Sequence, residues 1–133
     1  MTEDGCYVFM GSRSLERGGK ALEELIAANP SAKDNIELLQ VDTSDKASVE
    51  ASAAAVKAKL NAKGQQLYGV VNNAGTGLGH NVTVDAMFKT NVWGPKWMTD
   101  AFLPLLDPNS GRIVNVGSGG GPMVFKNLSE PEQ

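Results

Sequence analysis

The sequence predicts an α/β domain built on a parallel sheet. Four short apolar runs, rich in β-branched or aromatic residues, alternate with three longer segments of helical period. The runs are almost continuously apolar, as strands covered on both faces are, rather than alternating. Each run also ends in a small polar or charged turn, and in open parallel sheets ligands bind beyond the carboxyl ends of the strands.

Taken in order, the first run is Cys6-Tyr7-Val8-Phe9-Met10. Leu15, Leu22, Leu25 and Ile26 then make one apolar stripe at helical spacing, ended by Asn29-Pro30. The second run is Ile36-Glu37-Leu38-Leu39-Gln40-Val41, followed by a stripe of Val49, Ala53, Val56 and Leu60. Asp45 suits the N-cap of that helix, and Gly64 marks its stop. The third run, Leu67-Tyr68-Gly69-Val70-Val71, reads as a buried parallel strand emptying into the turn Asn72-Asn73-Ala74-Gly75. Phe88, Val92, Met98, Phe102 and Leu105 form the third stripe, closed by Asp107-Pro108-Asn109. Its internal Gly94-Pro95 pair predicts a kink or a local break. The last run is Arg112-Ile113-Val114-Asn115-Val116. This order argues for parallel strands joined by right-handed crossovers. From Gly117 to Gln133 there is no clear periodicity, which predicts an unanchored tail.

Composition narrows the classes. At 133 residues, 41% apolar and 20% charged, the chain is about one domain long and can enclose a single core. Its 15 glycines cluster after apolar runs, at 75, 77 and 79 and again at 117, 119, 120 and 121, as turns at strand ends would place them. Net charge is −3 with acidic and basic residues interleaved, so no nucleic-acid footprint is expected. Cys6 is the single cysteine and His80 the single histidine, which rules out an internal disulfide and argues against a structural zinc site. No run is long enough to span a bilayer and no signal pattern opens the chain. The expectation is a cytoplasmic protein without membrane partners. The sequons at Asn81 and Asn127 are read as chance matches.

The strand ends hold the candidate chemistry: Gly11-Ser12-Arg13, Asp42-Thr43, Asn73-Ala74-Gly75 and Gly117-Ser118. Together with Val71-Asn72, Thr90-Asn91, Phe102-Leu103-Pro104-Leu105-Leu106 and Gly111-Arg112-Ile113-Val114-Asn115-Val116, they follow one recognisable order. In that order and spacing the chain resembles the short-chain dehydrogenase/reductase family, and within it the carbonyl-reductase-like members. The likeness covers most of residues 6–124. Asn-Asn-Ala-Gly after a Val-Val strand is its most specific part. Ser129-Glu130-Pro131-Glu132 is loosely similar to the insertion such members carry before their catalytic tyrosine.

The resemblance implies a partial doubly wound parallel sheet of the Rossmann type, with residues 1–124 as a partial NAD(P)-binding domain and 125–133 as a tail. Arg13, which could also be a solvated surface cation, would clamp the adenosine 2′-phosphate of NADPH, because a planar guanidinium binds phosphate bidentately. That favours NADP over NAD, whose ribose hydroxyls would call for a carboxylate. Asp42 and Thr43 would lie against the adenine ring, although Asp42 could simply begin a turn. Asn73, Ala74 and Gly75 would offer their backbone to the cofactor ribose, and Asn73 also suits a turn on its own account. Asn91, a poor helix former, would support a backbone kink and a proton relay. Ser118, in a glycine-rich loop where a small residue is expected anyway, would hydrogen-bond the substrate carbonyl and its developing oxyanion. Two near-fingerprints, Gly75-Thr76-Gly77-Leu78-Gly79 and Gly117-Ser118-Gly119-Gly120-Gly121, lack a third glycine, having His80 and Pro122 there. His80 reads as exposed or substrate-facing.

Two family parts do not occur in the sequence. Only Met1 to Gly5 precede the first run, too few for a strand with a glycine-rich turn. Neither Tyr7 nor Tyr68 has a lysine four residues on, since Gly11 and Asn72 stand there. In the family's sheet the missing strand lies between the first and third runs seen here. These runs are expected either to pair directly or to expose edges around a gap. The expectation is a chain truncated at both ends that is marginal in stability, oligomeric, or completed by further sequence. Its complete form is expected to be an NADPH-dependent reductase of small-molecule aldehydes or ketones, and the chain itself to show little or no turnover. A non-catalytic remnant that binds nucleotide weakly or serves in a protein assembly is the alternative. A flavodoxin-like binding module fits the sheet but not the Asn-Asn-Ala-Gly turn.

Overall fold

A computed structural model describes residues 5–77 and 82–128, apart from the Val124 side chain. His80 and the segment 129–133 lie outside the described residues. Strand β1 (Val8–Ser12) leads to helix α1 (Leu15–Ala28), a 3₁₀ turn (Pro30–Asn35) and β2 (Ile36–Gln40). Helix α2 (Lys46–Lys63) precedes β3 (Gly69–Asn72). Then come α3 (Val84–Phe88), a π-helical turn (Lys89–Trp93), α4 (Gly94–Phe102), a 3₁₀ turn (Leu103–Leu105), β4 (Arg112–Asn115) and α5 (Gly120–Lys126).

The helix limits follow local chemistry. Ser14 caps α1, its side chain accepting from the Arg17 N–H at 3.3 Å. Asp45 caps α2 by accepting from the Ala47 N–H at 3.1 Å. Gly64 ends α2 in the left-handed region (φ 60°), where a side chain would be strained. The third stripe is broken as Gly94-Pro95 predicts. Pro95 has no N–H to donate to the Asn91 carbonyl, and the Gly94 N–H instead reaches back five residues to the Lys89 carbonyl.

The strands form two parallel pairs, β1–β2 and β3–β4, with no ladder between β1 and β3. Of the two expected outcomes, the described residues show the one with unpaired edges on β1 and β3. Helices join the pairs instead. Val41, Val49, Ala53, Val56, Leu60, Val70 and Phe102 form one buried cluster, in which α2 and α4 pack together across both pairs. Fully burying such a side chain stabilises by about 1.5–3 kcal/mol.

Side-chain alternation assigns the faces. Phe9 and Leu39 pack on the α2 cluster. Leu38 and Ser12 point the other way, toward α1, where a Cβ at Gly18 would come within 2.7 Å of each side chain. Glycine is what allows that close approach. On the α2 side, Glu37 accepts from the Tyr7 hydroxyl at 2.9 Å and pairs with Lys59.

Three expectations need correction. β3 and β4 are not covered on both faces: Val70 is 7% exposed but Val71 is 47%, and its ladder partner Val114 is 49%. No described element packs on that face. Leu15 and Leu25 of the first stripe are exposed, and Gly18 is the buried residue of α1. The segment after Gly117 is not uniformly irregular, since Gly120–Lys126 is helical; the two glycines that open it masked its period. No helix among the described residues is long and apolar enough to cross a membrane.

Candidate functional site

The strand ends are joined two by two through specific bonds. The Val41 N–H donates to the Ser12 carbonyl at 3.0 Å, joining the ends of β1 and β2. The Val116 N–H donates to the Asn72 carbonyl at 3.0 Å, joining those of β3 and β4. Buried Asn72 reinforces the second junction by donating to Asn115 Oδ1 at 2.8 Å.

At the end of β1, Arg13 shares a pocket of about 340 Å³ with Gly11, Ser12, Ser14, Gly18 and Arg17. Neither guanidinium has a hydrogen-bond or ion-pair partner among the described residues, while Glu16 is engaged by Lys20 at 3.1 Å. The pocket lies at the start of α1, where backbone amides add positive potential. Two free guanidinium groups beside a helix N-terminus are suited to a dianionic phosphate. Sequence reasoning missed Arg17. The signal was present, since an arginine four residues after Arg13, across a capping serine, returns to the same end of the helix.

Asp42 serves its own turn. Its carboxylate accepts from the Ser44 N–H at 2.9 Å and the Ser44 hydroxyl at 2.6 Å. Its N–H donates to Ser48 Oγ at 2.9 Å. The turn-forming reading of Asp42 accounts for these bonds. Thr43, half-buried, packs against the start of α4 at Gly94.

Beyond β3, the Asn73 N–H bonds the Val71 carbonyl at 3.1 Å, turning the chain sharply. Asn73, Ala74 and Gly75 are exposed, leaving that backbone approachable. Asn91 sits in the π-helical turn and clasps the next residue. Its Nδ2 donates to the Thr76 carbonyl at 2.8 Å, and its Oδ1 accepts from the Thr76 N–H at 2.9 Å. A kink at Asn91 and a fixed loop after Asn-Asn-Ala-Gly are therefore one device. Thr76 takes part through its backbone, which no residue type announces.

Ser118 is exposed beyond β4, where its hydroxyl accepts from the Gly120 N–H at 3.1 Å. The structure thus places Arg13 and Arg17 in the lining of one pocket and joins Thr43 to Gly94 and Gly75-Thr76 to Asn91. It records no bond between Ser118 and the other candidate residues. Among the described residues, no group of three or more His, Cys, Asp or Glu could hold a metal ion.

Comparison with known proteins identifies this arrangement. A sequence model described as short chain dehydrogenase matches residues 1–130. Mitochondrial D-beta-hydroxybutyrate dehydrogenase of Bos taurus is 29% identical over 127 residues, covering 91% of this chain and 36% of that protein. Serine dehydrogenase complexed with NADP+ superposes with a TM-score of 0.70 at 30% identity, covering 91% of this chain and 48% of the other. NADPH-bound carbonyl reductase from chicken fatty liver gives a TM-score of 0.65 at 26% identity, covering 86% and 48%. The chain spans about a third of the length of that curated relative and about half of those solved chains. The Asn-Asn-Ala-Gly turn at the end of a parallel strand and a match over nearly every residue agree: this chain belongs to the short-chain dehydrogenase family of oxidoreductases, with its Rossmann-type α/β fold in part.

Proposed function

We propose that this chain is the adenosine-binding part of an NADPH-dependent carbonyl reductase. The observation that carries the reading is that Arg13 and Arg17 line one pocket, both guanidinium groups without protein partners among the described residues. A 2′-phosphate dianion satisfies two such groups, whereas the bare ribose of NAD leaves both unpaired. The NADP(H) named with the two solved relatives supports the choice. Residues 1–124 form the cofactor-binding unit in this reading, with 125–133 beyond it.

NADPH supplies hydride to a carbonyl carbon when bound. Arg13 and Arg17 hold its phosphate, the loop of Asp42 and Thr43 borders the adenine, and the exposed Asn73-Ala74-Gly75 backbone borders a ribose. Asn91 holds that turn in place through Thr76. Ser118 accepts from the Gly120 N–H, which leaves its hydroxyl proton available to donate toward the substrate oxygen. With no Tyr-x-x-x-Lys in its sequence, the chain alone binds cofactor with little or no turnover. Cytoplasmic residence belongs to the same proposal; the bovine relative is named as mitochondrial.

Titration of the purified chain with NADPH and NADH tests this reading. Arg13→Ala and Arg17→Ala should each weaken NADPH at least about tenfold, the scale of a charge-assisted phosphate contact, and leave NADH unchanged. Equal loss for both cofactors would overturn the phosphate assignment.

Exposed Val71, Val114 and Val116 support a second reading, a non-catalytic remnant that works in a protein assembly or self-associates. Oxidation of NADPH with a panel of aldehydes and quinones separates the two. Substantial turnover, abolished by Ser118→Ala, would exclude the remnant.

A further inference from the structure

We propose that Gly94 is a positioning residue for the adenine-side loop, setting how far that loop stands from the turn after β3. Gly94 is buried at φ −56°, a conformation open to any residue, so the backbone does not require glycine there. The surroundings do. A Cβ at Gly94 would lie 2.9 Å from the Thr43 carbonyl oxygen and 3.3 Å from Thr43 Cβ. Both atoms belong to a loop stiffened by its own bonds, including that of the Asp45 N–H to the Asp42 carbonyl at 3.1 Å. A Cβ there would have to push the Thr43 carbonyl aside and so strain the bonds that hold this loop.

The same stretch of chain grips the other side of the site. Gly94 closes the π-helical turn by donating to the Lys89 carbonyl, and that turn carries Asn91, which clasps Thr76 on both its backbone groups. β1 and β3 share no ladder, so among the described residues no hydrogen-bonded strands set the spacing of the loops that follow β2 and β3. Packing between α2 and α4 holds the two pairs together broadly. The contact of Gly94 with Thr43, beside the clasp of Asn91 on Thr76, sets the spacing at the mouth of the site.

The functional half of this inference rests on the adenine-side role proposed above for Asp42 and Thr43, and the test separates the two. Gly94→Ala and the unaltered chain are titrated with 2′,5′-ADP and with inorganic phosphate, and backbone amide exchange is followed in both. The expected result is 2′,5′-ADP weakened by about tenfold in the variant, because small displacements at a fitted site are costly. Inorganic phosphate, which reads only Arg13 and Arg17, should stay within about twofold, less than half a decade of affinity. Exchange at the Ser44 and Asp45 amides should quicken about tenfold while the β1–β2 ladder is unchanged. A merely structural defect would weaken both ligands together. A folded variant with unchanged 2′,5′-ADP affinity and unchanged Ser44 and Asp45 exchange would overturn the proposal. If the unaltered chain does not bind 2′,5′-ADP, the adenine reading falls and the exchange result alone decides the role of Gly94. If the variant does not fold, nuclear Overhauser contacts between the Gly94 α-protons and the Thr43 β-proton in the unaltered chain decide, and their absence would overturn the proposal.

Discussion

In the β1–β2 pair, alternate residues meet cover on both faces: Leu38 and Ser12 face α1, while Phe9 and Leu39 face α2. In the β3–β4 pair only one face is covered among the described residues. Val70 is buried with Phe102, and Asn72 reaches Thr99 of α4 at 3.5 Å, whereas Val71, Val114 and Val116 stand open. Both pairs have parallel ladders and apolar sequences, so backbone pairing does not decide burial. What decides it is whether a helix lies over the face. The two halves therefore differ in cover, and they hold together through α2 and α4 rather than through a continuous sheet.

The largest test of that comparison removes the join. Phe102→Ala should cost about 3–5 kcal/mol, a large share of the about 5–15 kcal/mol that holds an ordinary domain folded. Denaturant unfolding followed by far-ultraviolet circular dichroism measures it. A loss under about 1 kcal/mol, an ordinary mutational effect, would mean that α4 does not hold the halves together. Next is the cap of the shared helix: Asp45→Ala should cost about 1 kcal/mol. Because α2 packs on β2 and on α4, that loss should appear at amides of both strand pairs. Exchange that quickens in β1–β2 alone would show the halves to be independent.

On the bare face the effect should nearly vanish. Val114→Thr, at a half-exposed strand position, should change stability by no more than about 0.5 kcal/mol. A larger loss would indicate that this face is covered in solution, and sedimentation would show whether a second copy covers it. The smallest expected effect is a pH dependence at the turn entering β4. Hydrogen bonds from the Ser110 N–H, the Asn109 N–H and the Ser110 hydroxyl hold the Asp107 carboxyl below its ordinary value of 3.8. A lowered folded value means that its contribution is complete above the ordinary carboxylate range and disappears as the pH falls through the lowered one. Asp107→Asn should therefore show a shallower loss of stability in acid than the unaltered chain. Equal slopes would assign the acid sensitivity to other carboxylates.

Much of the fold was legible because its causes are local. The four runs, the Asp45 and Gly64 limits of α2 and the break at Gly94-Pro95 each depend on residues within a turn or two of one another. The strand ends were legible for the same reason, and with them the candidates Arg13, Asp42, Asn73 and Ser118. Burial was less so. Val70-Val71 and Ile113-Val114 read alike in sequence, yet one residue of each is more buried and the next is half-exposed. Helix α5 was hidden because Gly120 and Gly121 open it. Arg17 and Thr76 were missed because their roles depend on what lies across a turn.

The sequence by itself determined the order of elements, their caps and the Asn-Asn-Ala-Gly turn that marks the family, since short-range sterics and hydrogen bonds specify each. Tertiary structure alone decided that the strands form two pairs, that one face of the second pair stays open, and that Asn91 and Gly94 grip different loops from one π-helical turn. These depend on contacts between residues far apart in the chain, whose partners no local pattern names.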